Sequence, residues 1–334
     1  MKKILVLATG GTIASTPHSN GLAPGLSLPE LAHYFTSTTD TAAIDFRILM
    51  NKDSTNMQPE NWLTIAQEIR RNQMNYDSFI ITHGTDTMGY TAAGLSYLLH
   101  DCMRTIVITG SQIPVSFHRT DAKKNIHDAL LFARQSNLPG VFVVFDGVAI
   151  AGTRAVKIRT KSYDAFESIN YPYIATIHGE TLSIRSTYHR DIPRQLRVSM
   201  ALCPDVFLVR IFPGLSPTFF DFLKMHARGV IIESFGNGGL PCEERNLTEK
   251  VRELTRQHIP VIITTQCLEE GQDISLYEVG KLAADAGGIT AGDMNTEAIV
   301  AKLMWILGLT NDLAEIKKLI QTPIAHDLSH TVNE

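Results

Sequence analysis

Two short segments carry hydroxyl and carboxylate groups next to glycines. The first is Ala-Thr-Gly-Gly-Thr-Ile-Ala at residues 8–14, and the second is Thr-His-Gly-Thr-Asp-Thr at residues 82–87. A glycine pair lets the backbone turn sharply, so the first segment would hold Thr12 at the end of the strand before it. The second segment places Thr85 and Asp86 in one turn. Both segments therefore offer side chains for nucleophilic or acid–base chemistry.

A third run, Gly-Thr-Arg-Ala-Val-Lys at residues 152–157, completes a set that fits nucleophilic catalysis. A threonine hydroxyl ionises far above neutral pH, so Thr12 as a nucleophile needs a base to take its proton. A lysine buried among polar groups can lose its own proton, so Lys157 would act as that base through the Thr85 hydroxyl. Asp86 would orient the lysine or a substrate amino group, and glycine-turn N–H groups would stabilise an oxyanion. Such a site needs no metal and no cofactor.

Each segment taken alone also has a structural interpretation. Thr12 is typical of a helix N-cap after a strand, and Asp86 could cap a helix that begins near Met88. His83 is one of 12 histidines in the chain, and its place in a loop favours a structural role over a catalytic one. The occurrence of all three segments in one chain favours a site.

Strands must bring these segments together. Short runs rich in valine and isoleucine alternate with amphipathic segments, which is typical of an α/β fold with parallel strands buried on both faces. The predicted strands are Ile4–Leu7, Phe79–Ile81, Thr105–Ile108, Val141–Phe145, Val206–Ile211, Val230–Ile232 and Val261–Ile263. The predicted helices cover Pro59–Tyr76, a segment from Asp121, Glu297–Gly308 and Leu313–Gln321. Ligands bind beyond the carboxyl ends of parallel strands, so the turns after the first two strands would face one pocket if those strands are neighbours.

A polar stretch interrupts the alternation between about residues 184 and 203, and a second series of strands and helices begins at Asp205. We therefore predict two α/β domains with mainly parallel sheets. The larger N-terminal domain, 1–184, would carry the catalytic residues. A linker, 185–204, would join it to a smaller C-terminal domain, 205–334.

Charge and composition exclude several classes of function. The 334 residues include 30 Lys and Arg against 34 Asp and Glu, which gives no electrostatic reason to expect nucleic acid or an anionic membrane as a partner. The four cysteines lie far apart, so neither a zinc site nor a disulfide framework is indicated. The first apolar run is too short for a signal peptide, and no run approaches the roughly 18 apolar residues of a membrane span. We expect a cytoplasmic protein.

Nucleotide cofactors are not indicated either. Gly89 and Gly94 have the spacing of a phosphate loop, but Leu95 and Ser96 follow where that loop needs lysine and a hydroxyl residue. The first predicted strand is not followed by the glycine pattern of dinucleotide-binding folds.

The segments resemble those of the bacterial-type L-asparaginase family. Residues 8–14 resemble its first signature and residues 81–88 its second. Further similarity lies at residues 53–57, 109–114, 154–157 and 265–267. The similarity is colinear over nearly the whole chain and is greatest with the cytoplasmic type I branch.

The resemblance implies a role for each matching residue. The residues implied in catalysis are Thr12 as the acylated nucleophile and Thr85, Asp86 and Lys157 as a second triad. The residues implied in binding the substrate's α-carboxylate and amino group are Asp53, Ser54 and Thr55, together with Thr85 and Asp86. Tyr277 corresponds to a tyrosine that reaches into a neighbouring subunit's site, which implies a homodimer or homotetramer with sites between subunits.

The reaction implied is attack on the side-chain amide of L-asparagine, release of ammonia, and hydrolysis of a β-aspartyl-enzyme to L-aspartate. A short pocket disfavours glutamine by only about 1–3 kcal/mol, so some glutaminase activity is expected. The alternatives are a glutaminase, the asparaginase-like subunit of a transfer-RNA amidotransferase, or a non-catalytic amino-acid sensor. The amidotransferase subunit is expected to carry an extra N-terminal domain, and a sensor has no use for a nucleophile and a base together.

The chain departs from the family at two positions. Leu22 stands in the flexible loop where many members carry a tyrosine that helps the nucleophile lose its proton. Glu233 precedes Ser-Phe-Gly where some relatives use an arginine before Ser-Tyr-Gly to bind regulatory asparagine. A carboxylate would repel the carboxylate of that ligand, so non-cooperative kinetics are predicted.

Overall fold

The structure is a computed structural model that describes residues 2–18, 21–25, 27–36, 43–185, 196 and 198–329, without the side chains of 16–18, 21–24, 28 and 36. The chain divides into two compact units, Met1–Ile192 and Pro193–Glu334, and the division falls within the predicted linker. The predicted fold class, two α/β domains with mainly parallel sheets, is confirmed.

The first unit contains most of the strands. They are β1 (Lys3–Gly10), β2 (Ser15–His18), β3 (Gly21–Pro24), β4 (Ala43–Lys52), β5 (Ser78–Thr82), β6 (Thr105–Thr109), β7 (Gly140–Phe145), β8 (Val148–Ala151), β9 (Ala155–Lys157), β10 (Phe166–Ser168), β11 (Ala175–His178) and β12 (Thr181–Ile184). Its helices are α1 (Leu28–Thr36), α2 (Pro59–Asn72), α3 (Met88–Leu98) and α4 (Ala122–Gln135). Single turns of 3-10 helix cover Thr12–Ala14 and Ser54–Asn56.

Among the described residues, eight of these strands form one sheet in the order β12-β11-β8-β7-β6-β5-β1-β4. The five strands β4, β1, β5, β6 and β7 run parallel. β8, β11 and β12 extend the sheet by antiparallel pairing, while β2 with β3 and β9 with β10 form separate antiparallel pairs. β5 and β6 are buried along their whole length, as expected for strands covered on both faces.

α2 shows how the sequence sets a helix and its packing. Pro59 lies at its start, after a capping box formed by Gln58 and Asn61, and both features favour a helix N-terminus. The helix ends at Asn72 rather than at the predicted Tyr76. The Asn72 side chain donates to the backbone carbonyl of Glu68, a local bond that competes with continued helix formation.

The two glycines with phosphate-loop spacing lie inside α3 and form no loop. Gly94 faces α2, where a Cβ atom would lie 2.6 Å from the Trp62 ring. The glycine therefore permits close packing of the two helices.

In the described part of the second unit, four parallel strands form one sheet, and helices connect them. Its elements are β13 (Val206–Arg210), α5 (Phe219–His226), β14 (Gly229–Ser234), α6 (Leu247–Arg256), β15 (Val261–Thr265), α7 (Glu278–Asp285), β16 (Ile289–Thr290), α8 (Thr296–Leu307) and α9 (Leu313–Ile320). Asn246, Asn295 and Asp312 cap α6, α8 and α9 by accepting a backbone N–H bond. Gly236 and Gly238, both at positive φ, form a turn after β14.

No helix within the described ranges is long and apolar enough to cross a membrane.

Candidate active site

Three turns meet at one edge of the large sheet because β1 lies between β4 and β5. Ala8 of β1 is in register with Thr82 of β5, and Gly10 is in register with Lys52 of β4. These strands are parallel, so their carboxyl ends lie side by side, and the turn after each one starts at the same edge. The strands before the two glycine-containing segments are therefore neighbours, as a shared pocket requires.

Glycines bring the backbones of these turns into contact. Gly11 has a φ of 81°, and a Cβ atom on it would lie 2.2 Å from the backbone nitrogen of Gly84. A Cβ atom on Gly84 would in turn lie 2.6 Å from Ser54 Oγ. Only glycine fits at such approaches, and a φ of 81° is a conformation that other residues rarely adopt. The glycines therefore fix the distance between the three turns.

Thr12 begins the 3-10 turn directly after Gly11, and it is only partly buried between two buried neighbours. Hydrogen bonds of Gly11 hold this turn in place. Gly11 donates its N–H to the carbonyl of Lys52 at 2.9 Å, and the Gly11 carbonyl accepts from Ala14 N and from Ser15 Oγ. Thr12 is thus the first residue of the short helix rather than its N-cap, which is Gly11. The threonine is presented on a fixed backbone at the sheet edge.

Thr85, Asp86 and Lys157 form a contact cluster. Lys157, at the end of β9, donates from Nζ to Thr85 Oγ1 at 2.8 Å and to Asp86 Oδ1 at 2.6 Å. The side chain of Lys157 is 16% exposed, whereas that of Asp86 is 56% exposed and faces solvent. The structure therefore joins the second and third segments, with the lysine in the sheltered position and the carboxylate on the open side.

Asp86 does not cap α3, which was the alternative role suggested by the sequence. α3 begins at Met88 with Thr87 as its N-cap residue, while the Asp86 carboxylate is bonded to Lys157. Thr87 donates its hydroxyl to the carbonyl of Ser54 at 2.7 Å, which fastens this turn to the one after β4.

The turn after β4 presents a carboxylate of defined orientation. Asp53 Oδ1 accepts from the backbone N–H of Thr55 at 2.9 Å and from its hydroxyl at 2.7 Å. Ser54 is buried against Gly84, while Asp53 and Thr55 lie nearer the surface. Asp53, Ser54 and Thr55 are therefore placed beside the turn that carries Thr85 and Asp86.

Gln112 belongs to the site's geometry and was not among the predicted site residues. Its Oε1 accepts a hydrogen bond from Thr85 Oγ1 at 3.1 Å. Asp121 holds its backbone by accepting from the N–H groups of Gln112 and Ile113. Burial raises the pKa of Asp121. The only sequence signal for Gln112 is its place in residues 109–114, directly after β6, the next strand along the sheet.

His83 has a structural environment. It is fully buried, with Nδ1 2.6 Å from the carbonyl oxygen of Gly84 and Nε2 2.9 Å from Thr91 Oγ1. Burial lowers its pKa to about 4, so the imidazole is neutral at neutral pH. A neutral ring with both nitrogens occupied supports the backbone of the Thr85 turn.

Two further predicted positions are Tyr277 and Leu22. Tyr277 is in the second unit, at the start of α7, and is 59% exposed. The side chain of Leu22 lies outside the described part of the structure. Within the part of the chain that is described, no group of three or more His, Cys, Asp or Glu side chains is arranged to hold a metal ion.

Comparisons with known proteins agree with this architecture. Residues 3–190 match the family model "Asparaginase, N-terminal", and residues 205–320 match "Glutaminase/Asparaginase C-terminal domain". An L-asparaginase of Thermococcus kodakarensis is 40% identical over 98% of this chain and 99% of its own length. One subunit of the glutamyl-tRNA(Gln) amidotransferase of Pyrococcus horikoshii is 32% identical over 98% of this chain and 76% of its own length.

Solved structures give the same result. The thermostable L-asparaginase from Thermococcus kodakarensis superposes with a TM-score of 0.90 over 98% of this chain and all of that one. L-asparaginase I from Vibrio cholerae, 27% identical, superposes with a TM-score of 0.83 over 98% of this chain and 99% of its own. The predicted resemblance is confirmed. The chain belongs to the asparaginase family and is an amidohydrolase.

Proposed function

We propose that this protein hydrolyses L-asparagine to L-aspartate and ammonia, with Thr12 as the nucleophile and a β-aspartyl ester of Thr12 as the intermediate. The observation that carries the proposal is the contact of Lys157 Nζ with Thr85 Oγ1 and Asp86 Oδ1, at the sheet edge where the Thr12 turn begins. The 40% identity to an L-asparaginase supports the choice of substrate.

The first half of the reaction needs a path for a proton. Thr12 Oγ1 attacks the side-chain amide carbon, and its proton passes to Thr85 Oγ1 while the proton of Thr85 passes to Lys157 Nζ. The lysine must be neutral for this transfer, and its Nζ already contacts Thr85 Oγ1 at 2.8 Å. Backbone N–H groups of the glycine turn would stabilise the oxyanion that forms on the amide oxygen.

The second half reverses the roles. The tetrahedral intermediate expels ammonia, which takes a proton returned through Thr85, and water then attacks the ester with Lys157 again receiving the proton. Thr12 is released with its hydroxyl restored. Neither half consumes a cofactor.

The α-amino and α-carboxylate groups of the substrate need partners of opposite polarity. Asp86 is the exposed carboxylate of the cluster and would bind the ammonium group, together with Asp53. The Ser54 hydroxyl and the Thr85 backbone N–H would donate to the carboxylate. Thr55, whose N–H and hydroxyl both donate to Asp53 Oδ1, would orient Asp53. The close approaches of Gly11 to the Gly84 backbone and of Gly84 to the Ser54 side chain would limit the space at the site and favour the short side chain of asparagine.

The assembly we propose is a homodimer or homotetramer in which Tyr277 of one subunit reaches the site of another. The exposure of Tyr277 leaves its ring available for such a contact. We propose a cytoplasmic location, which the four free cysteines support, since thiols persist in a reducing compartment.

Ammonia release by the purified protein tests the activity. L-asparagine, L-glutamine and D-asparagine are each supplied to the wild type, to Thr12→Ala and to Thr12→Ser. We expect turnover mainly of L-asparagine, a loss of about a thousandfold or more in Thr12→Ala, and partial activity in Thr12→Ser, which keeps a nucleophile. Mass spectrometry of the quenched wild type should show an aspartyl adduct that Thr12→Ala lacks.

Binding of asparagine without ammonia release would overturn the proposal in favour of an amino-acid sensor. In that case Leu22→Tyr, which restores the proton-accepting side chain found in many relatives, is the informative variant. Preferential release from glutamine would instead favour a glutaminase.

A further inference from the structure

The Thr85 hydroxyl lies between two partners but has one proton. Lys157 Nζ is 2.8 Å from Thr85 Oγ1 on one side, and Gln112 Oε1 is 3.1 Å away on the other. A charged lysine only donates, and an amide oxygen only accepts. While Lys157 is charged, Thr85 Oγ1 therefore accepts a hydrogen bond from the lysine and donates one to Gln112 Oε1.

The Gln112 amide cannot exchange its oxygen and nitrogen without losing bonds. Its Nε2 donates to the backbone carbonyls of Ser162 at 3.2 Å and of Arg159 at 3.4 Å, both in the loop after β9. Two carbonyls require the N–H₂ group at this end of the amide. The oxygen is thus fixed towards Thr85.

We propose that Gln112 is a positioning residue that holds the Thr85 proton away from Lys157 and thereby sets the pH at which the proton relay opens. The inference rests on the proposed function, in which Lys157 accepts the nucleophile's proton through Thr85.

Two hydrogen-bond arrangements follow. In the closed arrangement the Thr85 O–H bond points to Gln112, and Lys157 carries three protons. In the open arrangement Lys157 has given one proton to water, and the Thr85 O–H bond has rotated towards the lone pair on Nζ. The incoming nucleophile then gives its proton to Thr85 Oγ1 as the original Thr85 proton moves to Nζ. The open arrangement lacks the hydrogen bond from Thr85 to Gln112. Gln112 therefore favours the closed arrangement, in which Lys157 is protonated.

Other charged groups also contact this pair or the loop after β9. Asp86 contacts Lys157 directly, with Oδ1 2.6 Å from Nζ. On the same hairpin, Arg159 is paired with Asp164 and Glu167. Asp121 is bonded to the backbone of Gln112. Substitutions of Gln112 keep these charged side chains but remove the bonds of both its oxygen and its nitrogen, so a control must separate the two effects.

Two substitutions at Gln112 have opposite expected effects. Gln112→Met keeps the length of the side chain but removes the acceptor, so the acid limb of the kcat–pH profile should move down by about 0.5–1 pH unit. Gln112→Glu keeps an acceptor and adds a negative charge near Lys157, so the limb should move up by about 1 unit. Both variants lose the bonds to Ser162 and Arg159.

A matched control is available in the second unit. Gln266 Nε2 donates to the carbonyls of Ile211 and Glu233 at the end of a strand, as Gln112 does to its loop. Gln266→Met removes the same kind of bonds without changing the Thr85 contacts, and its acid limb should stay in place. Shifts of the same sign in Gln112→Met and Gln112→Glu, or none in either, would show that Gln112 only supports the loop.

A second readout does not depend on turnover. NMR titration of lysine labelled with ¹³C at Cε follows Lys157 directly, with the signal assigned by its loss in Lys157→Gln. The titration midpoint should move to lower pH in Gln112→Met and to higher pH in Gln112→Glu. Failure of the proposed function would appear as wild type that releases no ammonia. Failure of the Gln112 inference would appear as an unmoved midpoint in both variants.

Discussion

His83 shows that a polar residue inside a signature segment can serve the fold. Because its neutral ring is buried and its pKa is lowered to about 4, protonation is unfavourable in the folded chain. An unfolded histidine titrates near 6.5, so the unfolded state binds more protons below that pH. The contribution of His83 to stability is therefore present above about pH 6.5 and is lost progressively as the pH falls towards 4, by about 3 kcal/mol in all.

The pH dependence of unfolding measures this effect. The free energy of unfolding of the wild type should fall more steeply between pH 6.5 and 4.5 than that of His83→Asn, whose amide can replace Nδ1 as a donor to Gly84. The variant will be less stable at pH 7, and the informative quantity is the slope. Parallel curves would mean that His83 does not titrate on unfolding in this range.

Single side chains also show where sequence reasoning ends. Thr85, Asp86 and Lys157 could be selected together because a weak nucleophile needs a base and the base needs an orienting group. Gln112 could not, since a glutamine has no distinctive chemistry and its importance comes from one 3.1 Å contact with Thr85. Contacts of this kind depend on the direction of a side chain in the folded structure. The catalytic roles themselves stay predictions.

At the scale of elements, the turn after β1 depends on the absence of a side chain at Gly11. A methyl group there would meet the backbone of Gly84, which cannot move as a flexible side chain would. We expect Gly11→Ala to displace Thr12 and to lower kcat/KM for asparagine by about 100-fold, since a 1 Å error in placement has an effect of that size. Ammonia release and thermal unfolding of the variant are the measurements.

Gly179→Ala is the matched control because Gly179 also has a positive φ, 56°, but has open space around its Cβ position. This variant carries the backbone strain without the contact, so it should lose stability and keep its kcat/KM. Equal losses of activity in both variants would show that strain, and not the approach to Gly84, is responsible.

In the large sheet, the strands that could be predicted are the central ones. β1, β5, β6 and β7 are covered on both faces, and their continuous apolar runs follow from that burial. β4 was missed because it lies at the sheet edge and is largely accessible to solvent, so its composition is mixed. β8 to β12 have only three or four residues each, too few to show a period of two. The antiparallel end of the sheet was therefore not expected.

At the scale of the whole molecule, the proposed oligomer would bring Tyr277 of one subunit to the site of another. Tyr277 could be assigned only by resemblance, because a residue that acts in another subunit leaves no spacing signal in its own sequence.

Cooperativity belongs to the same scale, since it requires a second site and an assembly whose subunits respond together. The second unit contains the residues that bear on such a site.

Glu233, at the end of β14, is buried and bonded within the second unit. Its Oε1 accepts from Thr296 Oγ1 at 2.7 Å, and its Oε2 is 3.6 Å from Arg210. Glu297 follows Thr296 in α8, and burial, with a further contribution from the charge of Glu233, raises its pKa to about 7. Above pH 7 the Glu297 carboxyl group is ionised. The region is therefore unfavourable for the carboxylate of a regulatory amino acid.

We expect the rate of ammonia release to follow a hyperbola in asparagine concentration, with a Hill coefficient of about 1. The curve should keep this shape at pH 8, where Glu297 is charged, and at pH 6, where it is neutral, because Glu233 remains bonded to Thr296 at both. Glu233→Gln removes the charge but not the site's shape, and it should also give a hyperbola. A sigmoidal curve in the wild type that becomes hyperbolic in Glu233→Gln would mean that this carboxylate takes part in a regulatory site, through the amino group of the ligand rather than its carboxylate.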